Sequence, residues 1–517
     1  MKRRVGWAGL LLAAYLLLLG LLTLSERHAP GATIRSFGDA LWYSLITIST
    51  VGYGDVLPVT PVGRLIGLLF VVGSVGLFAA LIGLGLRYLE ASLIPRCRLR
   101  LHRGQRWYAF SAENPDAVTL AVSLRREEPD CLLLFPQGEA RCTLPGTLRL
   151  PFNPEALLRL RGKKEGLTLF FLGPHPWENY ARAVPAAEHG LRCFSRGIQP
   201  MEPLPETLHV FDPAEILARR YWAAHPLAEQ ENCVVLLGCG AAGKALLERG
   251  LLVNVFLRKR GIAYHVFGDT RAFAALHPEI VRALDGSRAG EDCLHLHEGD
   301  WREARELLES ADRILVCDDE DQENLRVCQT LRRWYVSGAR VHVRLNAPLP
   351  GIKAFGSHEE IFTREAVMAD ELNRRAALMN DIYNEGAEKP VPWRELSPFL
   401  QQSNIAAADH LPVKARCLLG EEDLLTLRPA DCARAYRRYR ELLPEKAEAF
   451  REMEHRRWLR FYQLYNWQYA PVRDDARRRH PLLRPYEELS PADRAKDAYA
   501  WEMLGRLGER EAEKKDG

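Results

Sequence analysis

Two uninterrupted apolar runs dominate the start of the chain. Residues 5–24 carry no charge and are rich in leucine, and residues 65–86 are likewise apolar and uncharged. At a helical rise of about 1.5 Å per residue, each run predicts a helix of roughly 30 Å, the thickness of a bilayer's hydrocarbon core. Between them, Phe37 to Ser49 is an apolar and aromatic segment long enough for a short helix but too short to cross. Beyond residue 100 the pattern changes. Short strand-like runs at Trp107–Phe110, Leu191–Ser195, Val234–Leu237 and Ala339–Arg344 are interleaved with helix-like segments, the alternation expected of parallel α/β sheets. From residue 386 onward Trp, Tyr, Arg and Glu dominate, and the pattern predicts a smaller, mainly helical unit.

The α/β part contains a repeat. Leu169-Phe170-Phe171-Leu172-Gly173-Pro174-His175-Pro176-Trp177-Glu178-Asn179 aligns with Ile314-Leu315-Val316-Cys317-Asp318-Asp319-Glu320-Asp321-Gln322-Glu323-Asn324 when the shared Glu-Asn is registered. Both copies then run through a helix-like segment into another strand. Only the second copy carries a glycine loop, Gly238-Cys239-Gly240-Ala241-Ala242-Gly243, placed after a strand and before a helix. That is the context in which GxGxxG brings a phosphate to a helix N-terminus. Asp269, closing the next strand, is a candidate for a ribose hydroxyl, although it lies further from Gly238 than the usual twenty or so residues. In the first copy the matching stretch is Ser111-Ala112-Glu113-Asn114-Pro115-Asp116, which offers no such loop.

The segment between the apolar runs ends in Thr50-Val51-Gly52-Tyr53-Gly54-Asp55. A potassium ion sheds its water only where a comparable cage of oxygens replaces it, and an extended loop whose successive carbonyls face one axis supplies that cage when four copies meet. Gly52 and Gly54 suit backbone angles that a residue with a Cβ occupies poorly. The stretch Leu41-Trp42-Tyr43-Ser44, then Thr47 to Asp55, resembles the aromatic cuff and signature of two-helix potassium channels. The resemblance covers residues 1–95 and implies a homotetramer in a lipid bilayer. Potassium, as the permeant ion, would be held by the carbonyls of Thr50, Val51, Gly52 and Tyr53 and by the Thr50 hydroxyl. Ile46 departs from the pattern, since some family members place a glutamate there that bonds to the aspartate equivalent to Asp55.

Residues 96–228 and 229–385 resemble tandem RCK domains of TrkA-N type, the first degenerate. The resemblance implies a gating ring and an adenine nucleotide or dinucleotide at Gly238, Gly240, Gly243, Asp269 and Asp318. Residues 386–507, with Glu454-His455-Arg456-Arg457-Trp458, Asn466-Trp467-Gln468-Tyr469 and Pro485-Tyr486-Glu487-Glu488-Leu489, resemble the RyR domain of ryanodine receptors. Arg457, Trp458, Trp467, Tyr469 and Arg473 offer flat faces and guanidinium forks that suit a cyclic or other phosphorylated nucleotide. Residues 508–517 read as a charged tail.

The expected fold is therefore a membrane α-helical two-helix pore with a re-entrant pore helix, cytoplasmic Rossmann-like α/β tandem RCK domains, and a small helical RyR-like domain. Lys2, Arg3 and Arg4 before the first run, and Arg87, Arg96, Arg98 and Arg100 after the second, orient both termini to the cytoplasm of a prokaryotic inner membrane. No small-residue cleavage site follows the first run, which is read as a helix and not as a leader. All 11 cysteines lie beyond residue 96, without ligand-like spacing, which fits reduced thiols in cytosol. A formal charge of +3 gives no footprint for nucleic acid. No acid/base set accompanies the glycine loop, so a ligand-gated potassium-selective channel is expected and not an enzyme. A non-selective cation channel and a membrane-attached nicotinamide oxidoreductase are the competing readings.

Overall fold

The computed structural model describes residues 2–89, 94–101, 105–138, 142–198, 204–258, 261–284, 291–336, 338–368 and 370–516. They form two compact units, Met1–Leu101 and His102–Gly517.

The first unit contains helices Lys2–Glu26, Phe37–Ile48 and Pro61–Tyr88, followed by a short helix Ile94–Leu101. Pro61–Leu86 is long and apolar enough to cross a membrane. The middle helix begins on a capping box, in which the Ser36 side chain accepts from Asp39 N and the Asp39 carboxylate accepts from Ser36 N at 2.8 Å. Its Ala40 and Tyr43 pack with Leu19 and Leu22 of the first helix and Ile66 and Phe70 of the third. Buried Glu26 ties the first helix to the start of the third by accepting from Val59 N and Thr60 N, both at 2.9 Å, and from Thr60 Oγ1 at 2.5 Å. The side chains of Lys2, Arg3, Arg4, Arg87, Arg96, Arg98 and Arg100, on which the orientation expectation rests, lie outside the described residues.

The second unit holds two six-stranded sheets. The first comprises β1 (Trp107–Phe110), β2 (Leu132–Phe135), β3 (Thr147–Arg149), β4 (Leu167–Phe171), β5 (Arg192–Arg196) and β6 (Leu208–Phe211). The second comprises β7 (Cys233–Leu237), β8 (Ala263–Phe267), β9 (Cys293–His297), β10 (Arg313–Val316), β11 (Val341–Arg344) and β12 (Lys353–Phe355). Their orders are β3-β2-β1-β4-β5-β6 and β12-β11-β10-β7-β8-β9, the same Rossmann-like order read from opposite ends, and all the pairings are parallel. The repeat register persists in the hydrogen bonds. Asn179 Oδ1 accepts from Gly173 N while its Nδ2 donates to Gly173 O and Arg196 O; Asn324 does the same with Asp318 N, Asp318 O and Arg344 O. One buried amide thus closes the loop after β4, and its counterpart closes the loop after β10.

The sheets exchange elements. Helix Pro213–Ala224, which follows β6, packs on helix Ala241–Val253 of the second sheet. The segment after β12 returns to the first, where Arg364 N donates to Ser123 Oγ at 3.0 Å and His358 Nδ1 lies 2.9 Å from Asp116 Oδ1. Helices Pro398–Leu419 and Pro444–Leu464 of the C-terminal region pack on the Ala241–Val253 helix. The expected break at residue 508 falls inside one continuous helix, Tyr499–Asp516, in which Glu511 pairs with Arg375 at 3.0 Å.

Candidate functional site

In the first unit the C-terminal end of the Phe37–Ile48 helix feeds the loop at 50–55. Thr50 has φ 60°, Gly52 56° and Gly54 76°, whereas Val51 and Tyr53 are not in the positive region. A threonine held there is costly, because it is β-branched. An alternation of positive and negative φ is a backbone pattern that lets consecutive carbonyls face one side. The amides face back: Val51 N and Gly52 N both donate to Ile46 O, at 3.0 and 3.1 Å. The loop is braced by Trp42, which stacks on Tyr53 with centroids 6.4 Å apart and donates Nε1–H to Asp55 Oδ2 at 3.0 Å. Ile46 is buried, so this bond to Asp55 comes from the aromatic side and not from a carboxylate behind the loop.

The glycine loop sits between β7 and the Ala241–Val253 helix. Gly238 has φ 122°, and a Cβ there would meet Asp318 N at 2.5 Å; Cβ atoms at Gly240 and Gly243 would collide with the Asp319 carboxylate and with Gly238 O. Asp269 follows β8 and caps the next helix through Ala272 N at 3.1 Å. Burial, helped by the Asp269 carboxylate, pushes the Cys239 thiol above its usual pKa and keeps it neutral. Asp318 turns its side chain to Glu320 N at 3.0 Å. The residue that sequence reading missed is Asp319. Its carboxylate lies 3.3 Å from Ala241 N and 3.4 Å from Ala242 N, over the helix N-terminus where a phosphate would seat. The only signal was the acidic run Asp318–Asp321 at the end of β10, and only the parallel neighbouring of β10 with β7 brings it to the loop.

In the first sheet the equivalent positions are filled from within. Asn114 caps the Pro115–Glu127 helix through Ala117 N, and Glu113 binds Cys142 N and Arg149.

The C-terminal candidates divide. Arg457, expected at a ligand surface, lies in the core instead: it is 2% exposed, its Nε and Nη2 donate to Glu454 at 2.7 to 3.2 Å, and its Nη1 is buried without a hydrogen-bond partner. Glu454 also binds Lys414 at 2.7 Å, so one buried carboxylate serves two cations. They hold it far below the usual carboxylate range, against the opposing effect of burial. Arg456 and Arg460 donate to Phe256 O and Ala283 O, on segments that follow the glycine-loop helix. Trp458 and Trp467 pack against Tyr462, with centroids at 4.4 and 5.0 Å. Trp467 is buried, Tyr469 is exposed beneath Arg484, and Arg473 pairs with Asp475 at 2.6 Å.

Residues 10–91 match the family model described as ion channel. A voltage-gated potassium channel of Aeropyrum pernix is 44% identical over 58 residues, which span 11% of this chain and 20% of that one. The rabbit (Oryctolagus cuniculus) potassium voltage-gated channel subfamily KQT member 1 is 30% identical over 153 residues, 26% of this chain and 22% of the relative. The chain thus spans about a fifth of the length of these curated relatives. Among solved structures, GsuK bound to ADP aligns with a TM-score of 0.35 at 15% identity, covering 70% of this chain and 96% of that one. The GsuK channel bound to NAD aligns at 0.31 and 12%, covering 70% and 82%.

Proposed function

We propose that the chain is one subunit of a tetrameric, potassium-selective channel gated by a nucleotide on its second Rossmann-like unit. The observation that carries the pore assignment is the alternation of positive φ at Thr50, Gly52 and Gly54 with both following amides tied to Ile46 O. That alternation leaves the carbonyls free to face an axis, and four such loops replace a hydration shell. Thr50 adds its hydroxyl at the inner end, and Trp42, through Tyr53 and Asp55, braces the loop from outside. The third helix, Pro61–Tyr88, is the pore-lining span, and the basic residues flanking the two apolar runs put both termini in the cytoplasm.

For gating, the loop at Gly238, Gly240 and Gly243 receives the phosphates and Asp269 accepts from a ribose hydroxyl. A ligand shifts the open-closed equilibrium only through its differential affinity for the two states. The exchange of elements between the sheets gives that difference a route, because a change at the loop moves helices that contact both. In the RyR-like region, half-buried Trp458, exposed Tyr469 and Arg473, which pairs with Asp475, are the candidates for a second, phosphorylated-ligand surface, while Trp467 belongs to the aromatic core.

The deciding measurement is the reversal potential of reconstituted protein under opposed potassium and sodium gradients. We expect it near the potassium equilibrium potential. A value near the sodium potential would overturn selectivity, and cofactor turnover without ion flux would favour an oxidoreductase.

A further inference from the structure

We propose that the cleft between helices Pro213–Ala224, Arg374–Asn384 and Pro398–Leu419 is a binding site for a small phosphorylated anion, separate from the glycine loop. The cleft has a volume of about 770 Å³ and adjoins a second cavity of about 550 Å³, with His225, Val413 and Arg416 on the boundary they share. Sites of this size hold nucleotide-sized molecules.

The charge inventory points to an anion. Five arginines line the larger cleft: Arg219, Arg220, Arg374, Arg375 and Arg416. Two are spent, Arg219 on Asp409 at 2.8 Å and Arg375 on Glu511 at 3.0 Å. Three of the four carboxylates are spent as well. Asp409 also faces Arg249 at 3.2 Å, Glu511 holds Arg375, and Glu360 accepts from Gly356 N at 2.7 Å. The fourth, Glu371, is exposed.

Two of the remaining arginines carry buried donors with no hydrogen-bond partner: Arg220 Nε, and both Nε and Nη2 of Arg416. A buried donor on a cation is expensive to leave unpaired, and, of the arginines with such donors, these two line the cleft. These two guanidinium groups reach the same cleft from different helices, one in the crossover that follows the first sheet and one in the C-terminal region. A phosphate, with several oxygens in a tetrahedron, accepts from two planar forks at once. Such a ligand would link the Pro213–Ala224 helix to the Pro398–Leu419 helix, and so couple the C-terminal region to the sheets.

The test uses full-length protein in detergent, titrated with inorganic pyrophosphate and followed by calorimetry and thermal unfolding. We expect saturable binding that raises Tm in the wild type and in Gly240→Val, where the glycine loop is blocked. Arg416→Met and Arg220→Met are each expected to weaken binding at least tenfold. The Tm of the unliganded variants should be unchanged or higher, because each removes an unpaired buried donor. If one variant fails to fold, the other reports on the same cleft. No binding by the wild type, or equal binding by both arginine variants, would overturn the site. Loss in Gly240→Val with retention in the arginine variants would place binding at the loop and overturn it equally.

Discussion

Asp319 is the residue that most changes the reading of the nucleotide loop. Its carboxylate occupies the two amides that an incoming phosphate would use, so binding must displace it against like charge. Asp319→Asn should therefore raise the affinity for ADP several-fold, measured by calorimetry on intact protein, with Gly240→Val as the non-binding control. An unchanged affinity would mean that phosphate seats elsewhere. His410 carries a second residue-scale expectation. Burial, together with the neighbouring Lys414 ammonium, holds it down at about 3 instead of 6.5, and its Nε2 donates to Val255 O at 2.8 Å. Above pH 6.5 the ring is neutral in both states and its contribution is complete. Below that the unfolded chain takes up a proton that the folded chain refuses, so stability falls with pH down to about 3. The slope approaches about 1.4 kcal/mol per pH unit for one such group. Thermal unfolding between pH 7 and 5 should show a shallower fall in His410→Gln, which keeps a donor for Val255, than in the wild type.

Among elements, the Pro444–Leu464 helix is the one whose role differs most from its sequence appearance. Arg457, a candidate for ligand contact in the sequence, is paired with Glu454, and Arg456 and Arg460 donate to the backbone carbonyls of Phe256 and Ala283. Glu454 is the hinge of this arrangement, since removing its charge leaves Lys414 and Arg457 buried without a counter-ion. Glu454→Gln should cost about 3–5 kcal/mol. Thermal unfolding checks this: a variant as stable as the wild type would show that the two cations find other partners.

For the whole second unit, the C-terminal region is not a detachable module. Asp409 pairs with Arg219 and Arg249, and Gln402 Nε2 donates to Glu215 at 3.2 Å, so helix Pro398–Leu419 covers the crossover and glycine-loop helices. Ending the chain at residue 385 would uncover Leu246, Leu247 and Leu251, which share a core cluster with Ile405 and Leu411. The truncated protein should lose Tm and become rapidly cleaved by protease around residues 241–253, checked by limited proteolysis with mass mapping. Undiminished resistance would mean that the sheets are complete without the region.

What the sequence by itself determined is whatever depends on neighbours along the chain. The apolar runs give the two long helices, the repeat register gives the paired Asn179 and Asn324 loops, and Gly52 and Gly54 mark the positive-φ positions. Periodicity and glycine spacing encode backbone conformation locally, so these features were legible. Tertiary structure alone decided which charges meet. Asp319 reaches Ala241 only because β10 lies beside β7, and Arg457 loses its freedom only because Glu454 and Lys414 are buried with it. An ion pair between distant segments depends on the folded path of the chain and on desolvation, and neither leaves a periodic trace in composition or spacing.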